Sequence, residues 1–293
     1  APANMQATQE KPSMLCSIAR AARLAPLLLV CGLAYGADED SPAPAAPGVD
    51  SVQRFFSHFS AHRPLYFAAG LRENGNAKFQ ISFRYRFLQP QEGREGDGTF
   101  SEHLYLGYTQ RSIWDWEAES SPFRDTSYIP SLFWSKGNIR GPRATPKALQ
   151  IGVEHESNGQ GGEESRSLNV FYVQPTWRFG NFERYHWTVS PKLYAYFGSL
   201  DDNPDIEDYR GYVDLIVSYG KHDSWKIATK TRYGAASGRT SFQVDVSYPM
   251  DKILTKRFNA FVHLQYFNGW GESLLDYDVK RPSQIRLGLM LIR

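Results

Sequence analysis

A strict alternation of apolar and polar residues, repeated in segment after segment, is the sequence feature that most constrains the fold. From residue 79 to residue 87 every second side chain is aromatic or aliphatic, and those between them are polar or basic. Residues 242–248 follow the same rule. Because successive side chains of a β-strand point to opposite faces, each such segment predicts a strand with one apolar and one polar face.

The alternation predicts about twelve strands. Clear patterns occupy residues 77–87, 101–110, 149–157, 166–179, 184–197, 224–233, 240–248, 259–267 and 284–292. Weaker patterns lie near Leu65, Tyr128 and Tyr209. An even number of strands, each of roughly ten residues, is typical of a closed antiparallel barrel that crosses a membrane.

Two kinds of barrel fit this pattern, and they differ in which face looks outward. A soluble up-and-down barrel turns its apolar faces inward, whereas a membrane barrel turns them toward lipid and its charges into the lumen. The aromatic fraction of 14% suits the aromatic girdles of a membrane barrel, and the mean hydropathy of -0.48 excludes a bundle of membrane helices. We therefore predict an all-β, about twelve-stranded antiparallel transmembrane β-barrel of the bacterial outer membrane. Its lumen would hold Arg84, Arg86, Glu154, Arg178, Lys230 and Arg232.

The connections between strands also alternate in length. Those near Gly180 and Gly220 are short, whereas long ones occupy 114–127, 158–164, 199–208 and 269–283. Short periplasmic turns and long external loops are typical of outer-membrane barrels. This topology predicts that the strand carrying His155 and Ser157 ends at the external side.

The N-terminal segment has the features of a secretory signal peptide. Arg20 and Arg23 precede an apolar run from Leu24 to Leu33, and Ala34–Gly36 offers small residues for cleavage. We predict a signal peptide over 1–37, a periplasmic linker and N-terminal segment over 38–62, and the barrel domain over 63–293. Residues 51–62 fit either a short amphipathic helix or an irregular plug. The two cysteines, at 16 and 31, both precede the predicted barrel, so the barrel has no thiol chemistry.

Three polar side chains extend apolar faces at the end of two neighbouring predicted strands. His155 and Ser157 follow Val153 on one face, and Asn169 opens the matching face of the next strand. Residues two apart on a strand have Cα atoms about 6.5–7 Å apart, which side chains can close to a hydrogen bond. An imidazole can take the proton of a serine hydroxyl, and a third group can orient the ring. Asn169 could be that group, although an amide adds no negative charge.

The motif HESNG at 155–159, followed by SRSLN at 165–169, closely resembles the active-site signature of outer-membrane phospholipase A. Residues 119–128, 200–212 and 269–278 resemble further segments of that family. The resemblance implies an outer-membrane barrel that hydrolyses the sn-1 and sn-2 acyl esters of glycerophospholipids and lysophospholipids. Ser157 would be the nucleophile, His155 the general base and then acid, and Asn169 the orienting residue. The backbone N–H of Ser157 would help to bind the oxyanion.

The same resemblance implies that the enzyme uses calcium and is activated by forming a homodimer. The matching calcium ligands are the hydroxyl of Ser165, the backbone carbonyl of Gln160, the carboxylate of Asp202 and, from the other subunit, Ser120. Oxygen ligands suit a hard cation such as calcium. Gln110, which continues an apolar face, matches a glutamine that the family places at the dimer interface. Alternatively, it reaches lipid headgroups as a rim residue.

Other classes of protein remain as alternatives. A non-enzymatic outer-membrane pore or structural barrel would make His155 and Ser157 incidental, and a soluble secreted barrel would turn its apolar faces inward. The net charge of +2 argues against nucleic acid as a partner, since it gives no strongly basic footprint.

Overall fold

The computed structural model describes residues 49–71, 76–90, 98–181 and 183–293. The predicted signal peptide, residues 1–37, and the first part of the predicted linker, residues 38–48, lie outside the described residues. In the part of the chain that is described, no helix has both the length and the apolar character needed to cross a membrane.

Twelve antiparallel strands of the described chain close into a barrel. Each strand pairs with its neighbours in sequence, and the last strand pairs with the first of the twelve. This closure confirms the predicted fold. The strands are β2 (Leu65–Gly70), β3 (Ala77–Arg86), β4 (Leu104–Trp114), β5 (Phe123–Lys136), β6 (Ala148–Ser157), β7 (Ser167–Gly180), β8 (His186–Phe197), β9 (Val213–Gly220), β10 (Lys226–Tyr233), β11 (Thr240–Pro249), β12 (Phe261–Gly269) and β13 (Arg281–Ile292).

The prediction of a strand near Tyr209 is wrong in its position. Tyr209 lies in a short helix, α2 (Ile206–Arg210), and β9 begins only after the turn that follows it. Gly211 makes this turn with a φ of +60°, and a Cβ there would lie 1.8 Å from the carbonyl oxygen of Tyr233. The Tyr209 ring packs on Trp270 and Tyr277 of another loop, a tertiary contact that a local pattern cannot reveal.

A helix and a short strand precede the barrel strands. Helix α1 (Val49–Ser57) leads into β1 (Phe59–Ala61), which lies in the predicted 38–62 segment and pairs with β3. Ala61 is opposite Phe83 and Tyr66 is opposite Gln80, so β1 and β2 follow one another along the same side of β3. The residues between them turn inward, where His62 stacks on the buried ring of Phe133 at 4.7 Å.

The apolar faces of the strands look outward and the charged faces look into the lumen. The exposed residues include Phe67, Ile81, Phe83, Leu106, Leu132, Val153, Phe171, Leu193, Phe242, Leu264, Leu287 and Leu289. Inside, Asp214 binds Lys230 at 2.7 Å and Arg232 at 2.6 Å. The guanidinium groups of Arg84 and Arg86 lie over the ring of Tyr105. A soluble barrel with an apolar interior is therefore excluded.

The long connections named from the sequence all lie at the end of the barrel where β6 ends. At the opposite end the connections after β7 and β9 are short, but residues 137–147 and 250–260 form longer ones. The division between short and long connections is thus less regular than the simple outer-membrane pattern.

Candidate active site

The register of β6 and β7 brings the three candidate catalytic side chains together. His155 lies directly opposite Asn169, and Ser157 lies opposite Ser167. All three candidates are half-buried on the outer wall of the barrel. Their neighbours on that wall, Val153 and Phe171, are 39% and 47% exposed. A substrate could therefore reach the hydroxyl from the lipid side of the barrel.

One hydrogen bond orients the imidazole. His155 Nδ1 lies 2.9 Å from Asn169 Oδ1. An amide oxygen only accepts, so Nδ1 carries the proton and donates it. Nε2 is then the nitrogen left to take a proton from Ser157, two residues along the same strand.

The opposite face of β6 is held inside the lumen by ion pairs. Glu156, between His155 and Ser157, accepts from Arg111 at 2.8 Å and from Arg210 at 2.9 Å. Glu154 accepts from Lys192 at 2.9 Å and also binds Arg63. The alternation predicted Glu154 in the lumen, but the ion pairs of Glu156, between the two candidate catalytic residues, were not predicted. The acidic residues alternating with His155 and Ser157 were the available signal.

The loop that follows β6 is organised by a buried asparagine. Asn158 Oδ1 accepts from the backbone N–H of Gln160 at 3.2 Å and from that of Arg166 at 3.0 Å. Its Nδ2 donates to the carbonyl oxygen of Glu164 at 2.8 Å. Asn158 thus closes the loop directly after Ser157, a role that the sequence indicated only as an Asn-Gly turn signal.

Two of the four predicted calcium ligands lie in contact. Ser165 Oγ donates to Asp202 Oδ2 at 3.0 Å, and Ser167 Oγ, which sequence reasoning missed, donates to the same oxygen at 3.2 Å. Gln160 is exposed in the same loop as Ser165. Ser120 is exposed in the β4–β5 connection, with a φ of +62°, and makes no contact with the other three in the hydrogen bonds of the described residues.

The donor chemistry of this cluster suits a hard cation. Within the described ranges no three His, Cys, Asp or Glu side chains converge on a metal position. The predicted set instead combines serine hydroxyls and a backbone carbonyl with a single carboxylate, all oxygen donors of the kind calcium prefers. The residues therefore fit calcium by donor type.

The loop that carries Asp202 is anchored to the barrel. Ile206 of α2 packs with Leu168 and Val170 of β7 in a buried apolar cluster. The hydroxyl of Tyr277 donates to Asp205 Oδ1 at 2.6 Å. Burial, together with this hydrogen bond, raises the pKa of Tyr277 above its usual value, so the phenol stays a donor.

Gln110 lies one strand away from the candidate nucleophile. Tyr128 of β5 is opposite Gln110 on one side and opposite Ser157 on the other. The Gln110 amide accepts from the hydroxyl of Tyr108 at 3.2 Å and donates to Ser112 Oγ at 3.4 Å. The amide on the outer wall is thus paired along its own strand.

Comparison with known proteins gives consistent matches. A family model described as phospholipase A1 matches residues 57–291. Phospholipase A1 of Salmonella typhimurium is 33% identical over 219 residues, which cover 73% of this chain and 68% of that protein. Phospholipase A1 of Klebsiella pneumoniae is 34% identical over 217 residues, covering 73% and 69% of the two chains.

Solved structures match the barrel as well. Outer membrane phospholipase A from Escherichia coli superposes with a TM-score of 0.66 at 28% identity, covering 80% of this chain and 98% of that chain. The calcium-bound dimer of the outer membrane phospholipase of Salmonella typhi gives a TM-score of 0.65 at 29% identity, with coverages of 80% and 92%.

Proposed function

This chain belongs to the phospholipase A1 family and is a phospholipase of the bacterial outer membrane, and from that premise we propose how it works. It hydrolyses the sn-1 and sn-2 acyl esters of glycerophospholipids and lysophospholipids with a Ser157–His155–Asn169 triad, uses calcium and acts as a homodimer. The family assignment decides against the alternative of a non-enzymatic pore or structural barrel.

The hydrogen bond between His155 and Asn169 on the lipid-facing wall is the observation that carries this proposal. It holds an imidazole beside a serine, at a place where acyl ester bonds of a bilayer lipid can meet the hydroxyl without leaving the membrane. In a barrel that served only as a pore or scaffold, an imidazole and an amide paired on the outer wall would have no evident role.

The reaction follows from the roles of the three side chains. Ser157 Oγ attacks the ester carbonyl carbon while His155 Nε2 takes its proton. The backbone N–H of Ser157 helps to bind the oxyanion. His155 then gives the proton to the departing glycerol oxygen, which leaves an acyl ester on Ser157. Water, deprotonated by His155, attacks this ester, and His155 returns the proton to Ser157 Oγ as the fatty acid leaves.

Calcium would be held by Ser165, Asp202 and the backbone carbonyl of Gln160, together with Ser120 of the partner subunit. When bound, it would supply positive charge that stabilises the oxyanion. The contact between Ser165 and Asp202 supports this assignment because it brings a hydroxyl and a carboxylate together just before the start of β7. Ser167, joined to the same carboxylate, would orient it.

A homodimer would form through the wall that carries Gln110. Two observations support this surface: it presents an amide among apolar residues, and only Tyr128 separates it from Ser157. A partner docked there would lie beside both active sites. This explains how dimerisation could complete the calcium site and switch the enzyme on.

Phospholipid hydrolysis by detergent-refolded protein, with and without calcium, tests the proposal. We expect Ser157→Ala to lower the rate of fatty-acid release at least roughly a thousandfold, because the nucleophile is lost. Ser237→Ala, an exposed serine in a loop at the same end of the barrel, is the matched control and should keep full activity. If Ser157→Ala released fatty acid at the wild-type rate, the proposed triad would be wrong.

A further inference from the structure

Helix α1 exposes an apolar face to its surroundings. Val52, Phe55 and Phe56 have the i, i+3, i+4 spacing that puts side chains on one side of a helix. They are 41%, 53% and 63% exposed. A helix in a water-soluble domain normally buries such a face, and an exposed one marks an interaction surface. The other side of the helix is polar and consists of Gln53, Arg54 and Ser57.

This apolar face is continuous with the lipid-facing wall of the barrel. The Phe55 ring lies 5.1 Å from Phe59 and 6.2 Å from Tyr85. Phe59 in turn lies 5.7 Å from Phe83, which points outward from β3 and is 39% exposed. A single aromatic surface therefore runs from the barrel wall onto the helix.

The position of the helix along the barrel is fixed by hydrogen bonds to the end of β3. The backbone N–H of Arg86 donates to the carbonyl oxygen of His58 at 2.9 Å. His58 Nδ1 donates to the carbonyl oxygen of Arg86 at 2.6 Å. Successive strands are antiparallel, so the end of β3 lies at the opposite edge of the barrel from the end of β6 and the active site.

We propose that α1 is an interfacial anchor that lies in the plane of the bilayer at the membrane edge opposite the active site. Val52, Phe55 and Phe56 insert among the acyl chains of phospholipids, and the polar side faces water. An amphipathic helix in this position is immersed by about 5–10 Å at the boundary between headgroups and acyl chains. We assign lipid as the partner of this apolar face because the face continues the outer wall of the barrel, which contacts lipid.

Site-directed fluorescence quenching tests the anchor. The full chain, carrying Ser157→Ala to prevent lipid hydrolysis and Cys16→Ser and Cys31→Ser to remove other thiols, receives one cysteine for an environment-sensitive label. Phe56→Cys reports on the apolar side of α1, Gln53→Cys on its polar side, and Leu132→Cys on the barrel wall. Folding of each labelled protein is checked by the heat-modifiable shift of a folded barrel on a gel. Only folded protein is then reconstituted into nanodiscs of phosphatidylethanolamine and phosphatidylglycerol.

Lipids brominated on the acyl chain should quench the label at position 56 several-fold more strongly than the label at position 53, and close to the level at position 132. Aqueous iodide should give the reverse order for positions 56 and 53. Equal quenching of both helix labels by iodide would overturn the anchor. Protection of position 56 from both quenchers would also overturn it, since protein, such as a second copy of the chain, would then cover the face.

Discussion

The group that accepts a hydrogen bond from His155 is an amide, which limits what Asn169 can contribute as the third residue of the proposed triad. Asn169 Oδ1 fixes the ring by accepting from Nδ1 at 2.9 Å, but it brings no negative charge to stabilise an imidazolium. Charge stabilisation must come from elsewhere. The oxygen cluster around Asp202, if it holds calcium, would supply it on the oxyanion side rather than on the histidine side.

Substitution of Asn169 separates orientation from charge. We expect Asn169→Ala to lower kcat by roughly a hundredfold with little change in KM, because the general base loses its fixed orientation. Asn169→Asp restores an acceptor and should recover much of kcat. Its added negative charge favours the protonated imidazole, so the rise of kcat/KM with pH should move to higher pH. The pH–rate profiles of the three proteins check this.

The control for this series is Asn268→Ala, another amide on the outer wall, which bonds Ser283 and lies on a distant strand. It should leave the pH profile unchanged. If Asn169→Ala kept the wild-type kcat, the ring of His155 would not depend on the amide, and the third member of the triad would have to be sought elsewhere.

Strand β6 carries candidate catalytic side chains on its outer face and ion-paired carboxylates on its inner face. Its outer face presents His155 and Ser157, while its inner face is tied by Glu154 and Glu156 to cations on other strands and loops. Arg210, which binds Glu156 and also the carbonyl oxygen of Ser273, lies at the end of the loop that carries Asp202. The strand that carries the proposed triad residues His155 and Ser157 and the candidate calcium loop are therefore held by the same buried carboxylate.

Removing the charge of Glu156 should loosen this element. Glu156→Gln leaves Arg111 and the buried Arg210 without their carboxylate, and we expect a loss of about 3 kcal/mol in the free energy of unfolding. Activity should fall as well, since the strand that carries the nucleophile is less firmly placed. Urea unfolding of refolded protein in lipid vesicles, followed by tryptophan fluorescence, measures the change.

Glu163→Gln is the matched control, because Glu163 is an exposed carboxylate in the loop directly after β6. Its unfolding midpoint should equal that of the wild type. An unchanged midpoint for Glu156→Gln would mean that the lumen hydrates the freed arginines and that the ion pairs do not secure the strand.

The strands could be predicted because alternation is a local property of the sequence. The turns and helices could not, because they depend on contacts with residues that are distant in sequence. Alternation from Phe79 to Phe87 specifies a strand and its two faces by itself. The inward turn at His62 and Arg63 depends on Phe133 and Glu154, far along the sequence. The local pattern around Tyr209 predicts a strand, because the packing of Trp270 and Tyr277 on its ring is not visible in the sequence. The triad positions followed from the alternation, but their roles came from the family resemblance.

On the whole-barrel scale, the described strands place charged side chains inside and apolar side chains outside. Lumen carboxylates are paired, as Glu272 is with Lys78 at 3.2 Å and with Arg286 at 2.6 Å. Burial would raise the pKa of Glu272, but these two cations hold it at about 2, so the carboxyl stays ionised. A polar group on the apolar outer wall is costly unless it is paired. Within one subunit the half-buried Gln110 amide is paired with Tyr108 and Ser112 of its own strand.

Gln110 tests the proposed dimer at the scale of the assembly, because its amide would exchange these bonds for bonds to the partner subunit. In a two-fold symmetric dimer the same surface meets itself, so one substitution alters the interface on both sides. A hydrogen bond across a membrane interface contributes about 1 kcal/mol, so Gln110→Ala should weaken dimerisation by roughly fivefold for each such bond that is lost. Sedimentation in detergent with calcium, over a range of protein concentrations, measures the dissociation constant.

Activity provides the second readout of the same substitution. If dimerisation completes the site, Gln110→Ala should lose activity at low protein concentration and regain it at high concentration, in parallel with the dimer fraction. A variant that binds itself as tightly as the wild type would place the interface on another wall. A variant that dissociates but stays fully active would show that one protomer suffices, and Ser120 of the partner subunit would then have no part in the site.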